Sequence, residues 1–186
     1  MAVVALTAHY FIAAAAPEDW IRGQLSMDDL LEPMSPRFLT ALSHQLGLPD
    51  DGVGVLLAAQ GLPGPSLLRE TTAHDHSRIT RALGHRDHVR VFTDPTGVVI
   101  VILGRGLALR DEVAIEVEPT HRGHGLATRT LTEARRLVGT DQLLFAQTAP
   151  GNAASLRAFL AAGFRPIGSE VLFLKANDSQ PETGPA

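Results

Sequence analysis

The sequence predicts a mixed α/β fold, in which helices pack on the faces of a mixed sheet. Three observations lead to this class. The chain has 186 residues, of which 45% are hydrophobic and 19% charged, as expected for a globular domain with its own core. Its second half shows a hairpin pattern followed by strand, helix, strand, helix and strand. Across residues 112–138 a strand pattern changes directly into a helix pattern, so a tight loop must connect the two.

The first half predicts short elements separated by turn residues. Residues 2–16 are apolar, but no Lys or Arg precedes them, so we expect a first strand or a buried helix rather than a signal peptide. Ser35-Pro36 begins a predicted helix that ends at Gly47. A strand is predicted over residues 53–59 and a short helix over residues 78–83. No apolar run approaches the about 20 residues that a membrane span needs.

The second half carries clearer signals. Residues 89–93 and 98–103 predict a hairpin, because the turn sequence Asp94-Pro-Thr-Gly97 separates them. Residues 113–117 alternate apolar and polar, as a half-buried strand does. The tail 177–186 is rich in Pro, Gly and polar residues and is predicted to be disordered. The remaining predicted elements are a helix over 127–138, a strand over 142–149 and a helix over 152–163.

The loop between the predicted strand and helix has the composition of a phosphate-binding loop. It has the sequence Arg122-Gly-His-Gly125, and glycines allow the backbone to approach a ligand closely. The first N–H groups of a helix have no partner within the helix, and the helix dipole adds partial positive charge there. The spacing fits neither a Walker loop nor a Rossmann fingerprint. We therefore expect a phosphate or pyrophosphate at this helix N-terminus.

Two motifs in this order resemble those of the GNAT superfamily, the acyl-CoA-dependent N-acetyltransferases. Arg122-Gly-His-Gly-Leu-Ala127 is similar to the family's Arg/Gln-x-x-Gly-x-Gly/Ala signature. The segment from Asn152 through Ser155 and Phe159 to Gly163-Phe164 is similar to its Asn-x-x-Ser/Ala-x-x-x-Tyr/Phe-x-x-x-Gly-Phe pattern. Together the motifs cover roughly residues 112–174, about a third of the chain.

The resemblance implies a particular architecture and reaction. It implies a GNAT-like mixed, mostly antiparallel central sheet with helices on both faces. A single domain would span residues 1–176, with the cofactor-binding half at about 98–174 and a divergent part at 1–97. Acetyl-CoA would be the co-substrate and a small-molecule amine the acceptor. The resemblance also implies a cytoplasmic enzyme, and a homodimer by family habit.

The resemblance also assigns cofactor-binding residues. Two neighbouring strands would splay apart, so that the backbone of Ile115 and Val117 pairs with the pantetheine arm. Asn152 would hydrogen-bond this arm and Phe159 would pack beside it. Asn152 is equally a good helix N-cap, and Phe159 lies on an apolar helix stripe that favours core packing. The pyrophosphate would be held by main-chain N–H groups of Arg122, Gly123, His124, Gly125, Leu126 and Ala127.

The catalytic residues are less well defined by the sequence. Glu112, Glu116 and Glu118 share one face of the predicted strand, and buried carboxylates are costly without partners. We therefore expect at least one to face a cleft, and Glu116 and Glu112 are the candidates for the general base. In the family a Tyr often serves as the acid, but Phe159 occupies that position and cannot donate a proton.

A group of histidines, His74, His76, His85 and His88, leaves two roles open. Their spacing suits zinc, but no Cys contributes and arginines intervene, so we expect no metal. A role for one of these histidines at the substrate is open, and the sequence does not select which.

Charge and motifs together define the function classes. The net charge of −4 argues against nucleic acid or an anionic membrane as a partner, since both require clustered Lys and Arg. The leading hypothesis is an acyl-CoA-dependent transferase acting on a small amine. The alternatives are a GNAT-fold protein that binds CoA without transfer, and a repurposed or non-catalytic GNAT-like scaffold.

Overall fold

The structure is a computed structural model that describes residues 1–26, 29–72 and 76–174. The chain divides into two compact units. One contains residues 1–55 and the chain from residue 167 onward, and the other contains residues 56–166. The single domain over residues 1–176 stays a prediction. The tail 177–186, expected to be disordered, lies outside the described residues.

The described residues form strands and helices that mostly follow the predicted order. The strands are β1 Ala2–Leu6, β2 His9–Ala13, β3 Gly54–Gln60, β4 Arg69–Thr71, β5 Asp87–Thr93, β6 Val99–Arg105, β7 Asp111–Val117, β8 Leu143–Thr148 and β9 Arg165–Leu172. The α-helices are α1 Glu18–Gln24, α2 Pro36–Leu46, α3 Ser77–His85, α4 Leu126–Ala134 and α5 Ala153–Ala161. Across the described ranges, no helix has both the length and the apolar character to cross a bilayer.

The first unit contains a hairpin where a single element was expected. Residues 2–16 form β1 and β2, joined by a turn in which Ala8 has a positive φ of 57°. The expectation of one strand or a buried helix is therefore wrong in part, since apolar composition alone does not reveal a turn without Gly or Pro. β1 also pairs antiparallel with β9.

The helix α2 forms as its sequence predicts. The Ser35 side chain accepts a hydrogen bond from the backbone N–H of Phe38 at 3.2 Å, and Gly47 ends the helix with a φ of 62°. Ser35 therefore caps the helix start, while glycine provides the left-handed backbone at its end. The core around this helix contains Val3, Phe38, Leu39, Leu42, Val171 and Phe173.

The second unit contains a mixed sheet in which antiparallel pairing predominates. β4, β5, β6 and β7 pair antiparallel in that order, and β7 pairs in parallel with β8. The predicted mixed, mostly antiparallel α/β class is thus confirmed. The hairpin of β5 and β6 is also confirmed, and the buried Asp94 carboxylate stabilises its turn by accepting from the backbone of Val99 at 3.0 Å and of Thr96 at 3.2 Å.

Two helices of the second unit contact β6. Ile79 and Ala82 of α3 pack with Val91 and Ile102, and α4 contacts β6 and β7. Neighbouring strand residues point to opposite faces, so Glu112, Ala114 and Glu116 share one face of β7. Ala114 packs against the core cluster under α3. Both candidate bases therefore lie on the face that α3 covers in part.

Candidate active site

The loop from β7 to α4 contains two glycines in conformations that other residues resist. After β7 the chain forms a short 3-10 turn, Pro119–His121, and then reaches Gly123 and Gly125 with φ values of 83° and 73°. No atom lies within 4 Å of a Cβ placed on either glycine. Glycine is therefore required here by backbone conformation, and the space beside each Cα is open.

The start of α4 has no side-chain cap. Gly125 occupies the N-cap position, and the first helical bond runs from the N–H of Arg129 to the carbonyl of Gly125 at 3.2 Å. The backbone N–H groups of residues 123–128 meet no acceptor among the described residues. Residues 121–125 are exposed, so these donors form an accessible site with the partial positive charge of a helix start.

Arg122 has its side chain turned back along β7. Its Nε donates to the carbonyl of Val117 at 3.1 Å, and its guanidinium lies 3.7 Å from the Glu116 carboxylate. Half of the side chain is exposed to solvent. Arg122 thus lies between the glycine loop and Glu116, and its predicted contact with pyrophosphate stays a prediction.

The two parallel strands β7 and β8 pair only where β7 begins. The paired residues are Asp111 with Leu144 and Glu112 with Phe145. On its other edge, β7 pairs with β6 over its whole length, including Ile115 with Val101 and Val117 with Val99. Beyond Glu112, the β8-facing edge of β7 therefore lacks a β8 partner in the described part of the chain. The binding of a pantetheine arm between splayed strands, which the family resemblance implies, stays a prediction.

The helix α5 places the residues of the second motif. The Asn152 side-chain oxygen accepts from the N–H of Ser155 at 3.0 Å, so Asn152 is the N-cap of α5. Phe159 is only 4% exposed, and its ring packs edge-on against Phe164 with centroids 5.1 Å apart. The structural alternatives for both residues are therefore confirmed. Their contacts with a pantetheine arm stay predictions.

Solved structures that are similar to this chain include acetyltransferases of the GNAT family. One is a GNAT-family acetyltransferase from Colwellia psychrerythraea, at 12% identity and a TM-score of 0.47, over 75% of this chain and 63% of that one. A second is described as a putative GNAT-family acetyltransferase from Novosphingobium aromaticivorans. It is 18% identical with a TM-score of 0.46, and the match covers 67% of this chain and 65% of that one. A third is a GCN5-related N-acetyltransferase from Kribbella flavida. It is 15% identical with a TM-score of 0.45, and the match covers 72% of this chain and 62% of that one.

The chain covers less than two thirds of the length of each of these structures. No family model and no curated protein matches the chain. Identities of 12–18% leave activity, substrate and partners to be inferred from the site itself.

Glu116, at the carboxyl end of β7, lies within a group of basic side chains. Its Oε2 accepts a hydrogen bond from Nε of Arg78 and lies 3.8 Å from Nε2 of His76. Arg122 approaches the other carboxylate oxygen, as described above. The Glu116 side chain is 26% exposed, so solvent or a small molecule can reach it.

Glu112, four residues earlier on the same face, has a different environment. Its side chain is 8% exposed and accepts from Nε of Arg86 at 2.9 Å and from Nε of Arg110 at 2.7 Å. Burial lowers the pKa of the Arg86 guanidinium, while the Glu112 carboxylate acts in the opposite direction. The backbone of Gly106 lies against the carboxylate, where a Cβ would collide with it. Glu112 therefore has a structural role between two arginines, and its assignment as a base stays a prediction.

The histidines of the described residues have separate environments. His76 is the N-cap of α3, and its Nδ1 accepts from the N–H of Arg78 at 3.2 Å, so in the neutral ring Nε2 carries the proton towards Glu116. The pKa of His85 is lowered mainly by burial, and the positive charge of Arg86 lowers it further. His88 is exposed and His74 lies outside the described residues. In the ranges 1–26, 29–72 and 76–174 no three His, Cys, Asp or Glu side chains gather as a metal site requires.

Sequence reasoning missed the arginines that surround both carboxylates. Arg78 is 38 residues from Glu116, and Arg86 is 26 residues from Glu112, so no local spacing links them. Arg110 was easier to predict, because it lies only two residues before Glu112. In the structure its guanidinium also lies over the ring of Phe145, 5.4 Å from the ring centroid. Strand alternation places Arg110 and Glu112 on the same face, which is the only sequence signal for this cluster.

Proposed function

We propose that the chain is an acyl-CoA-dependent N-acetyltransferase that transfers acetyl from acetyl-CoA to the amine of a small molecule. The observation that carries the proposal is the exposed glycine loop at the start of α4, with unpaired N–H groups over residues 123–128. A pyrophosphate needs several hydrogen-bond donors and positive potential, and an uncapped helix start supplies both. Residues 122–127 would therefore hold the pyrophosphate of acetyl-CoA.

The strand geometry supports an extended ligand beside this loop. Because β7 and β8 pair only at Asp111 and Glu112 of β7, the later part of β7 has a β8-facing edge that a ligand amide can join. The backbone of Ile115 and Val117 would bind the pantetheine arm there. Acetyl-CoA supplies an activated thioester, and the protein supplies its orientation.

Glu116 is the preferred general base among the two candidates. An attacking amine must be deprotonated, and a base must lie within reach of that proton. Glu116 lies next to the end of β7, one residue before Val117, and its carboxylate is accessible. Glu112 is less suited because two arginines already occupy its buried carboxylate. Glu116 would accept the proton directly or through a water molecule.

A second candidate function is CoA binding without transfer. The observation that favours it is Phe159, which replaces the family's Tyr and is buried in the core. In the enzyme hypothesis, water or another residue must protonate the departing thiolate. The cytoplasmic location and the homodimer remain predictions.

Calorimetric titration with acetyl-CoA and with CoA tests the proposal. We expect both to bind the wild-type protein, and Gly125→Val to weaken binding about tenfold, because a β-branched residue resists the positive φ and distorts the loop. Gly97→Val is the matched control, since Gly97 has a φ of 79° and equally open surroundings in the β5–β6 turn. It should retain wild-type affinity.

The outcomes separate the two candidate functions. Absence of binding to the wild-type protein at millimolar ligand would exclude both. Binding without thiol release from acetyl-CoA across a broad amine panel would favour the CoA-binding protein. Equal loss of affinity in both glycine variants would remove the loop assignment.

A further inference from the structure

The side chain of Arg122 contacts β7 at the point where this strand ends. Its Nε donates to the carbonyl oxygen of Val117 at 3.1 Å, and its guanidinium lies 3.7 Å from the Glu116 carboxylate. The short 3-10 turn Pro119–His121 separates Arg122 from both residues along the chain. One side chain of the glycine loop therefore contacts the backbone of the strand and the candidate base together.

The carbonyl of Val117 points away from β6. The backbone N–H of Glu118 donates to the carbonyl of Val98 at 3.0 Å, so Glu118 directs its backbone groups to the β6 side. Neighbouring residues of an antiparallel strand direct these groups to opposite sides. Val117 therefore presents its carbonyl at the β8-facing edge, where β8 pairs with β7 only at Asp111 and Glu112.

This edge is the one that the proposed function assigns to the pantetheine arm. An arm that joins β7 as an added strand donates an amide N–H to a carbonyl of the edge. Arg122 already donates to the carbonyl of Val117, and its planar guanidinium takes up space beside the end of the strand. The arm and the Arg122 side chain therefore compete for the same place.

We propose that Arg122 is a positioning residue that couples cofactor binding to the release of the β7 edge and of Glu116. The inference rests on the proposed function and adds one movement to it. As acetyl-CoA binds, the guanidinium leaves Val117 for the pyrophosphate at the glycine loop, and the arm takes over the Val117 carbonyl. The same movement takes the guanidinium away from Glu116, so the acceptor reaches this carboxylate after the cofactor has bound.

The contacts of Arg122 are of a kind that exchanges easily. Half of its side chain is exposed, and an ion pair at such a site contributes little because water screens it. A phosphate is a stronger acceptor for a guanidinium than a backbone carbonyl, since both partners are charged and two parallel bonds can form. Arg122 also directly precedes Gly123, so its side chain starts at the loop that would hold the pyrophosphate.

The test separates the arm of the cofactor from its phosphates. S-acetylpantetheine has the arm and the thioester but no phosphate, and its binding is measured by NMR; acetyl-CoA is titrated by calorimetry. The variant Arg122→Met keeps an unbranched side chain but has no donor. We expect it to bind S-acetylpantetheine about threefold more tightly than the wild type, because one competing hydrogen bond is gone. It should bind acetyl-CoA about threefold more weakly, because a charge-assisted phosphate contact is lost.

The opposite directions of these two changes identify the coupling. A merely structural role of Arg122 lowers both affinities, and a role restricted to the phosphates lowers only the affinity for acetyl-CoA. The matched control is Arg129→Met, because Arg129 adjoins the same loop but donates to the carbonyl of His124 at 3.3 Å. This control should leave the affinity for S-acetylpantetheine unchanged.

The Nε–H group of Arg122 measures the movement directly. In isotope-labelled wild-type protein its NMR signal is assigned by its disappearance in Arg122→Met. The signal should shift when either ligand binds, because the bond to Val117 is then broken. Arg122→Ala repeats the affinity comparison and should give the same two directions if Arg122→Met does not fold.

Failure of the coupling and failure of the proposed function give different results. Unchanged or weaker binding of S-acetylpantetheine by a folded Arg122 variant would overturn the coupling, even where acetyl-CoA binds and amines release its thiol. Binding of acetyl-CoA without thiol release would overturn the transfer reaction, and the comparison of the two ligands would still decide the coupling. Absence of acetyl-CoA binding to the wild-type protein would overturn both.

Discussion

The two ends of β7 place the same side chain in opposite circumstances. Glu112 and Glu116 share one strand face, and each contacts two arginines. Glu112 is 8% exposed and lies beneath the turn at Gly106, whereas Glu116 is 26% exposed and lies where β7 leads into the glycine loop. The main difference is therefore access, since the type of partner is the same.

Access decides what each ion pair does for the protein. A buried carboxylate between buried guanidiniums cannot be removed without leaving positive charge in a poorly solvated place, so its role is structural. An accessible pair contributes little to stability because water screens it, and its carboxylate can exchange partners. Replacement of Glu112 should therefore mainly lower the free energy of unfolding, whereas replacement of Glu116 should mainly lower turnover.

Glu112→Gln should produce the largest effect. The change leaves the Arg86 and Arg110 guanidiniums with a neutral partner in a buried site, so the free energy of unfolding should fall by about 3 kcal/mol. Urea denaturation measures this loss. The matched control is Glu118→Gln, because Glu118 is an exposed acid two residues beyond Glu116. This change should lower the free energy of unfolding by less than about 0.5 kcal/mol. Equal small losses in both variants would show that Glu112 is not a structural ion pair.

Glu116→Gln should reverse the pattern. We expect turnover to fall about a hundredfold, because general-base catalysis is lost, while acetyl-CoA affinity stays close to that of the wild type. The loss of stability should remain below about 1 kcal/mol, as for an exposed pair. Thiol-release kinetics and calorimetry on the same preparation give both values. Wild-type turnover across pH would exclude Glu116 as the base.

The pH dependence of stability should report on the buried region around Glu112, because His85 lies there beside Arg86. Burial lowers the pKa of His85, so below about 6.5, the ordinary value, the unfolded chain binds a proton that the folded chain resists. Stability should therefore fall as pH decreases through this region, by at most about 1.4 kcal/mol per pH unit. His85→Leu should remove this component and exposed His44→Leu should retain it. A wild-type profile that is flat between pH 7 and 5 would contradict the assignment.

The sequence predicts the cofactor half of the site better than the catalytic half. Residues 111–134 follow from local rules, because alternation predicts β7, Gly123 and Gly125 predict the loop, and helical spacing predicts α4. Each of these features depends on neighbours in the chain. The cap at Asn152 could be predicted for the same reason.

Other features depend on distant residues and could not be predicted. The sequence places Glu112 and Glu116 on one face, but their different burial follows from Arg86, Arg78 and the path of the turn at Gly106. The strand β4 escaped prediction because Arg69, Glu70 and Thr71 show no apolar alternation. A short edge strand is fixed by its partner β5, so its sequence alone carries little signal.

The uncapped start of α4 has a consequence for how the helix is held. The helices α2 and α5 carry their own caps, Ser35 and Asn152, whereas α4 begins at Gly125 with no side chain to accept its first N–H groups. In the proposed function the phosphate oxygens take the place of that missing side chain. The cofactor would then be the N-cap of α4, and the first turn of this helix would fray or tighten as acetyl-CoA leaves or arrives.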